Sequence, residues 1–136
     1  MEAVAKLRNF PIAPRKMRLI ADLIRGQKVN FALSTLQYDS KAGSPYMEKL
    51  LLSAISNWQN KYEDMDIEEA DLYIKEIYVD SARMLKRIQP APQGRAHRIR
   101  KRSSHITVVL APAVALPEPE LAESEEGEEE NKETKK

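Results

Sequence analysis

Apolar residues keep a helical spacing in three stretches of the first half of the chain. The first stretch begins after Pro14 and has the pattern i, i+3, i+4, i+7, which predicts a helix with Gly26 as its C-cap. Its apolar positions are Met17, Ile20, Ala21 and Ile24. A second, shorter helix is predicted to have Asn30 as its N-cap and to end near Tyr38. Its apolar positions are Val29, Ala32, Leu33 and Leu36.

A third helix is predicted to start with Ser44 as its N-cap and Pro45 at its first helical position. One face of this helix carries Met47, Leu50, Leu51, Ala54, Ile55 and Trp58. A stripe of this kind can line a groove for a cofactor or a partner. We interpret it instead as core that packs against the first helix and a sheet.

Strand patterns appear on both sides of a predicted turn. Residues 72–79 and 106–110 are dense in β-branched and aromatic residues, and a loose alternation before Pro11 predicts a short further strand. Residues 90–94 read Pro-Ala-Pro-Gln-Gly, which is typical of a turn. Folding the chain about Pro92 places Val79 opposite residues 104–106, so the two later strands form the buried base of one long hairpin.

These elements predict an α+β fold in which three helices pack on a small antiparallel sheet, with a long β-hairpin protruding at about residues 81–104. Arms of roughly nine or ten residues would project about 30 Å beyond the base. Because isolated two-stranded ribbons are marginal in water, the hairpin needs a partner to become ordered. We assign residues 1–110 to the domain, 111–117 to an Ala/Pro linker and 118–136 to a Glu-rich tail that we expect to be disordered.

Composition restricts the class of protein. The chain has 136 residues, of which 42% are hydrophobic and 32% charged, so one core is expected. The absence of Cys excludes disulfides and thiolate metal sites and suits a reducing compartment. No apolar run approaches the roughly 18–20 residues of a membrane span, and the start lacks a signal-peptide pattern. We therefore expect a soluble, cytoplasmic protein without a membrane partner.

Charge is sorted by segment along the chain. The formal net charge is only +1, but residues 118–136 hold nine Glu and three Lys, whereas residues 81–117 hold eight Lys or Arg and no Asp or Glu. The cations of this basic segment are Arg83, Lys86, Arg87, Arg95, Arg98, Arg100, Lys101 and Arg102. Such a run on a long hairpin favours an RNA or DNA backbone, whose phosphates bind Lys and Arg. A solvated surface ribbon is the alternative.

The first predicted helix offers a second basic surface. Arg15, Lys16 and Arg18 lie in its N-terminal turns, where the helix dipole disfavours a cation by about 0.3–1 kcal/mol. A bound phosphate would remove this penalty, although side chains that simply point into water would explain the pattern equally well. Other cations near this helix in the sequence are Lys6, Arg8, Arg25 and Lys28.

Catalysis has little support in the sequence. The two histidines, His97 and His105, have no nearby Asp, Ser or Cys at a spacing typical of a nucleophile or a metal site. No glycine-rich phosphate loop is present. We therefore expect no enzyme activity, no catalytic residues, no metal, no cofactor and no small-molecule substrate.

Two long motifs carry a family resemblance. Residues 15–29, followed by 86–88, 94–99 and 101–109, closely resemble the bacterial large-subunit ribosomal proteins of the L-twenty-two family, and the match covers about residues 2–110. The resemblance implies a domain on the outer surface of the large subunit near the tunnel exit. It also implies a hairpin that penetrates the 23S rRNA, supports its folding and assembly, and lines the nascent-peptide tunnel. The implied partners are large-subunit rRNA, neighbouring ribosomal proteins and the nascent polypeptide.

The resemblance also assigns residues. Together with the charge pattern, it predicts rRNA binding by Lys6, Arg8, Arg15, Lys16, Arg18, Arg25, Lys28, Arg83, Lys86, Arg87, Arg95, Arg98, Arg100, Lys101, Arg102 and His105. The implied tunnel-lining tip, near the macrolide site in that family, is Gln89, Pro90, Ala91, Pro92, Gln93, Gly94 and Arg95. The family often carries basic residues at the tip, whereas Ala91, Pro92 and Gln93 are uncharged here. One hypothesis is that this neutral tip alters the electrostatics of the tunnel.

Two other classes of protein stay open at this point. An architectural DNA-binding protein can insert a β-ribbon with a proline tip into the minor groove. A protein-interaction module would instead use the Trp58 helix and the acidic residues 63–66, which leaves the basic hairpin unexplained. For the acidic tail, the interpretations are a shield for the hairpin before assembly, a contact with a basic partner near the tunnel exit, or a solubilising extension.

Overall fold

The computed structural model describes residues 1–62 and 70–113. Its elements in chain order are β1 (Ala3–Phe10), α1 (Pro14–Ile24), α2 (Val29–Tyr38), α3 (Ser44–Lys61), β2 (Leu72–Ser81), β3 (Leu85–Pro90), a short 3₁₀ turn (Pro92–Gly94), β4 (Ala96–Lys101) and β5 (Ser104–Pro112). The predicted α+β class, with three helices on an antiparallel sheet, is confirmed. The acidic residues 63–66 and the tail 118–136 lie outside the described residues.

Strand β5 is the centre of the main sheet, which has the order β1-β5-β2. Both neighbours pair with it in antiparallel fashion, and Val79 lies opposite Ile106, as the sequence predicted for the base of the hairpin. The run from Ile106 to Ala111 is buried throughout, and Ile106, Val108 and Leu110 belong to the hydrophobic core under the helices. The hairpin is therefore anchored in the best-buried strand of the molecule.

The helices supply the other half of the core. Helix α3 lies against β1, and α1 lies against β2. Trp58, Met17 and Met47 are fully buried, and the apolar stripe predicted on α3 faces inward, with Ile55 only partly buried at its border. At about 25 cal/mol per Å² of apolar surface, large buried side chains of this kind contribute most of the stability of a small domain. The interpretation of the stripe as core that packs on the sheet is confirmed, but the main helical neighbour of α3 is α2 and not the first helix.

Both predicted N-caps are wrong, because tertiary hydrogen bonds replace the local ones. Helix α2 begins one residue before Asn30, with Lys28 as its N-cap, since Lys28 bridges to Tyr73 on β2 in extended conformation. Helix α3 is preceded by Gly43, and Ser44 is its first helical residue.

The Ser44 hydroxyl does not cap α3. It is buried and donates to Asp39 Oδ2 at 2.6 Å. That bond, followed by the contact with Lys41, holds the pKa of Asp39 below its ordinary value. The connection from α2 to α3 is therefore closed by a side-chain pair instead of a helix cap.

The predicted linker starts too early. Ala111 and Pro112 belong to β5 and pair with Tyr73 and Leu72, and the N–H of Ala113 donates to the carbonyl oxygen of Ala70 at 3.2 Å. The sheet therefore incorporates the first two residues of the segment assigned to the linker. Residues 114–117 lie outside the described part of the chain.

Gly43, which precedes α3, lies directly against two side chains of α1. A Cβ atom at this position would lie 2.6 Å from Met17 Sδ and 2.7 Å from Ile20 Cδ1. The backbone φ of Gly43 is −85°, which any residue adopts, so the requirement for glycine here is steric. Both neighbouring side chains are buried in the close-packed core, so an added Cβ would force them to shift.

We predict that Gly43→Ala lowers the free energy of unfolding by about 1–3 kcal/mol through overpacking, measured by urea denaturation. In the double variant with Ile20→Val, which removes the Cδ1 atom, the combined loss should be smaller than the sum of the two single losses. An unchanged unfolding midpoint for Gly43→Ala, or strict additivity in the double variant, would contradict the packing account.

Candidate nucleic-acid interface

Strands β3 and β4 form a separate two-stranded ladder beyond the main sheet, and with the turn between them we call them the ribbon. The ladder runs from Leu85 opposite Lys101 to Pro90 opposite Ala96. All of its strand residues are exposed. Six residues per strand give the ladder a length of about 20 Å.

The ribbon does not continue directly from the base of the hairpin. Pairing between β2 and β5 ends at Ser81 opposite Ser104, and only the Ala82 N–H to Ser103 carbonyl bond, at 2.9 Å, follows before the ribbon begins. The segment between β2 and β3 has three residues, 82–84, whereas the segment between β4 and β5 has only two, 102–103. The strand register of the base therefore cannot continue into the ribbon. The single continuous pair of arms predicted from the sequence is therefore two ladders with an irregular joint.

Cations occupy both faces of the ribbon. Alternation along the paired strands places Lys86, Arg98 and Arg100 on one face, together with Ile88. The other face carries Arg87, Lys101, Leu85 and Ile99. Each face thus interleaves positive charge with apolar surface, and Ile88 is 73% exposed.

The charges on the ribbon oppose its own folding. Lys86 lies directly opposite Arg100, and a like-charge pair at such a position is destabilising by roughly 0.2–1 kcal/mol. Within residues 1–62 and 70–113, the four ion pairs all lie outside the hairpin, and none includes one of its eight cations. A polyanion along both faces would remove this repulsion, and its sugars and bases would cover the exposed apolar side chains.

The tip of the ribbon is a tight turn without charge. The turn is closed by the Ala91 N–H, which donates to the Arg95 carbonyl oxygen at 2.8 Å. Gln93 and Gly94 adopt φ values of 63° and 68°, which glycine tolerates and glutamine adopts at some cost. The turn predicted at residues 90–94 is confirmed, with Pro90 as the last residue of β3.

Two arginines of α1 bind the sheet of their own domain. Nε and Nη2 of Arg18 donate to the Val79 carbonyl oxygen at 3.2 and 3.0 Å, and Nη2 of Arg25 donates to the Ile77 carbonyl oxygen at 3.2 Å. These carbonyl groups lie on the outer edge of β2, because β5 pairs with the inner edge. The arginines therefore cover a strand edge that would otherwise be open.

The other cations of the domain that were predicted to bind rRNA divide into two groups. Lys28 Nζ pairs with Asp71 Oδ2 at 2.5 Å, so its charge is already compensated. Arg15 and Lys16 are exposed on α1, and Lys6 and Arg8 are exposed on β1. Of the three cations predicted to gather a phosphate at the start of α1, only Arg15 and Lys16 are without a side-chain hydrogen bond among the described residues, because Arg18 is directed to β2.

His105 has a role in the domain that the sequence did not show. Its Nδ1 accepts a hydrogen bond from the Asn9 N–H at 3.0 Å. Asn9 has a φ of 54° and lies where the register between β1 and β5 shifts. The only sequence signal for this contact is Asn9 itself, because Asn adopts the left-handed conformation more readily than most residues. That signal is weak, since Asn occurs in many other contexts. Only Nε2 of His105 is left to contact another molecule.

The described residues contain no group of three or more His, Cys, Asp or Glu side chains that could hold a metal ion. Within the same part of the chain, no helix is both long and apolar enough to cross a membrane.

Comparison with known proteins identifies the family of this chain. A model of the family described as Ribosomal protein L22p/L17e matches residues 5–111. The chain belongs to this family. The match includes the whole hairpin together with the helices and strands that anchor it. The resemblance carried by the two sequence motifs is confirmed.

Relatives with the name large ribosomal subunit protein uL22 are similar over most of their length. The protein from Flavobacterium johnsoniae is 63% identical over 108 residues, which is 79% of each chain. The protein from Christiangramia forsetii is 63% identical over 108 residues, covering 79% of this chain and 80% of the relative. The protein from Cytophaga hutchinsonii is 52% identical over 124 residues, covering 91% of this chain and 68% of the relative.

Family membership decides the class of function. As a member of this bacterial family, the chain is a structural constituent of the cytoplasmic ribosome and not an enzyme, as the sequence predicted. Membership also favours the RNA interpretation of the hairpin over the DNA-binding and interaction-module alternatives.

Substituting Arg18, which bonds to β2, and Arg15, which does not, should have different effects on stability. We predict that Arg18→Ala lowers the free energy of unfolding by about 1–2 kcal/mol, because the Val79 carbonyl loses a charged donor. Arg15→Ala, which removes the same kind of side chain one turn earlier, should change it by less than about 0.5 kcal/mol. Equal losses in urea denaturation would show that Arg18 does not hold α1 to β2.

Proposed function

We propose that this protein is a component of the large ribosomal subunit, that it binds large-subunit (23S) rRNA through its hairpin, and that the tip of the hairpin lines the nascent-peptide tunnel. The observation that carries the proposal is the ribbon itself. It is exposed on both faces, it places Lys86 opposite Arg100, and none of its cations pairs with a carboxylate in the described part of the chain. The relatives' printed name supports the large subunit.

The distribution of charge favours threading over surface docking. A ribbon that lies on RNA needs cations on one face only, whereas here Lys86, Arg98 and Arg100 occupy one face and Arg87 and Lys101 the other. RNA on both sides would neutralise both sets and bury Ile88 and Ile99, which are exposed in the free chain. The hairpin therefore passes between RNA segments and supports their folding and assembly.

The domain makes a second, smaller contact in this proposal. Arg15, Lys16, Lys6 and Arg8 supply the free cations, whereas Arg18, Arg25 and Lys28 keep their bonds within the chain and add only to the local positive potential. His105 contributes Nε2 at most, since Nδ1 is occupied by Asn9. Neighbouring ribosomal proteins meet the outer surface of the domain.

The tip has a different partner from the arms. Ala91, Pro92 and Gln93 offer no charge to a phosphate, and the turn that holds them is closed by a backbone hydrogen bond. A small, neutral turn at the end of a charged ribbon suits a wall that a nascent polypeptide passes without being held. Arg95, immediately after the turn, remains available to rRNA.

The proposal predicts a strong dependence of RNA binding on salt. If about six hairpin cations contact phosphates, the logarithm of the binding constant for a 23S rRNA transcript should fall against log salt with a slope of about −4 to −5. Lys86→Gln and Arg100→Gln should each reduce the steepness by about 0.7–0.9, because each removes one phosphate contact. Filter binding at several salt concentrations measures the slope.

The matched control is Lys49→Gln. Lys49 is exposed on α3, away from the hairpin, and its substitution removes the same unit of charge. Its slope should equal that of the unmodified chain. A slope near zero, or an equal reduction by Lys49→Gln, would show that the hairpin does not form the RNA contact.

A further inference from the structure

The hairpin and the C-terminal part of the sequence carry opposite charge. The hairpin has eight cations, none of them ion-paired among residues 1–62 and 70–113. Residues 118–136 contain nine Glu and three Lys. Before rRNA is bound, the repulsion between Lys86 and Arg100 and their neighbours is uncompensated unless another anion is supplied.

We infer that the acidic segment 118–136 binds the cationic ribbon of the same molecule in the free protein and is displaced when rRNA binds. The inference rests on the proposed function, since it assigns to the ribbon an internal competitor of RNA. A row of carboxylates offers the same chemistry as a row of phosphates, with one negative charge per group. The segment would therefore occupy the surface that RNA uses later.

The covalent connection is long enough for this contact. Strand β5 has nine residues, so Ala113, just after its end, lies about 30 Å from the base of the hairpin at Ser104. Glu125 follows Ala113 by 12 residues and Lys136 by 23 residues, which corresponds to reaches of at most about 40 and 80 Å. The Glu-rich stretch can therefore pass the base and extend along the ribbon, whose ladder is about 20 Å long.

The tether makes a weak attraction effective. A tether that can span the distance raises the effective concentration of one segment at the other, so even a weak ionic contact is populated. The contact is screened at high salt, because the Debye length falls from about 10 Å at 0.1 M to 3 Å at 1 M. A short or non-specific RNA must compete with the tethered carboxylates, whereas an rRNA site that contacts both faces of the ribbon offers more phosphates and displaces them.

The first test compares the full chain with a full-length variant in which all nine Glu of residues 118–136 are Gln. The probe is a single-stranded oligouridine of about 20 nucleotides. At about 50 mM salt the variant should bind the probe at least tenfold more tightly, and at about 0.5 M salt the difference should fall below twofold. Equal affinities at low salt would overturn the inference.

The second test locates the contact directly. A carbodiimide joins carboxylates to amines that touch, and mass spectrometry identifies the linked residues. In the RNA-free chain, Glu residues of 118–136 should link to Lys86 or Lys101 and not to Lys49, with a yield that does not change on dilution. Equal linkage to Lys49, or a yield that falls with dilution and so reports contact between molecules, would overturn the inference.

The proposed function can fail or survive independently of this result. If the Gln variant binds a 23S rRNA transcript with the steep salt dependence expected of the hairpin, RNA binding stands whatever the segment 118–136 does. If that variant does not bind the transcript, the proposed function fails, and the cross-links then report only an attraction between two charged segments.

Discussion

Repulsion among like charges on a thin ribbon is the constraint on which the rest of this structure depends. The ribbon has no core of its own, its isoleucines face water, and a cross-strand pair of cations works against its ladder. Such an element is not kept for its own stability. In the proposed function rRNA stabilises it, and the domain holds the two strands that lead into it.

The domain achieves this by fixing both strands that feed the ribbon. Strand β5 leaves the ribbon and enters the buried centre of the sheet, while β2, which leads into it, is an edge strand. Helix α1 covers that edge through Arg18 and Arg25, and the loop after α1 continues the cover through the paired backbones of Gln27 and Ile74. Two basic residues of α1 thus help to hold the strand that leads into the basic hairpin.

Sequence reasoning succeeded where burial sets the pattern. The three helices and the strands of the hairpin base follow from apolar spacing, because each buried stripe needs a partner surface. It failed at Asn30 and Ser44, since a local capping rule cannot anticipate the bridge of Lys28 to Tyr73 or the bond of Ser44 to Asp39. The roles of Arg18 and His105 were also beyond its reach, because they depend on which strand the fold places beside each side chain.

The central claim is that the ribbon is threaded through the RNA of the large subunit. The most direct measurement is sedimentation of the endogenous protein from a cell lysate on a sucrose gradient, before and after a wash in about 1 M salt. Phosphate contacts at a surface weaken steeply with salt, whereas a ribbon enclosed by folded RNA cannot leave without unfolding it. The account predicts that the protein stays in the large-subunit fraction after the wash. Its release into the free-protein fraction would contradict threading.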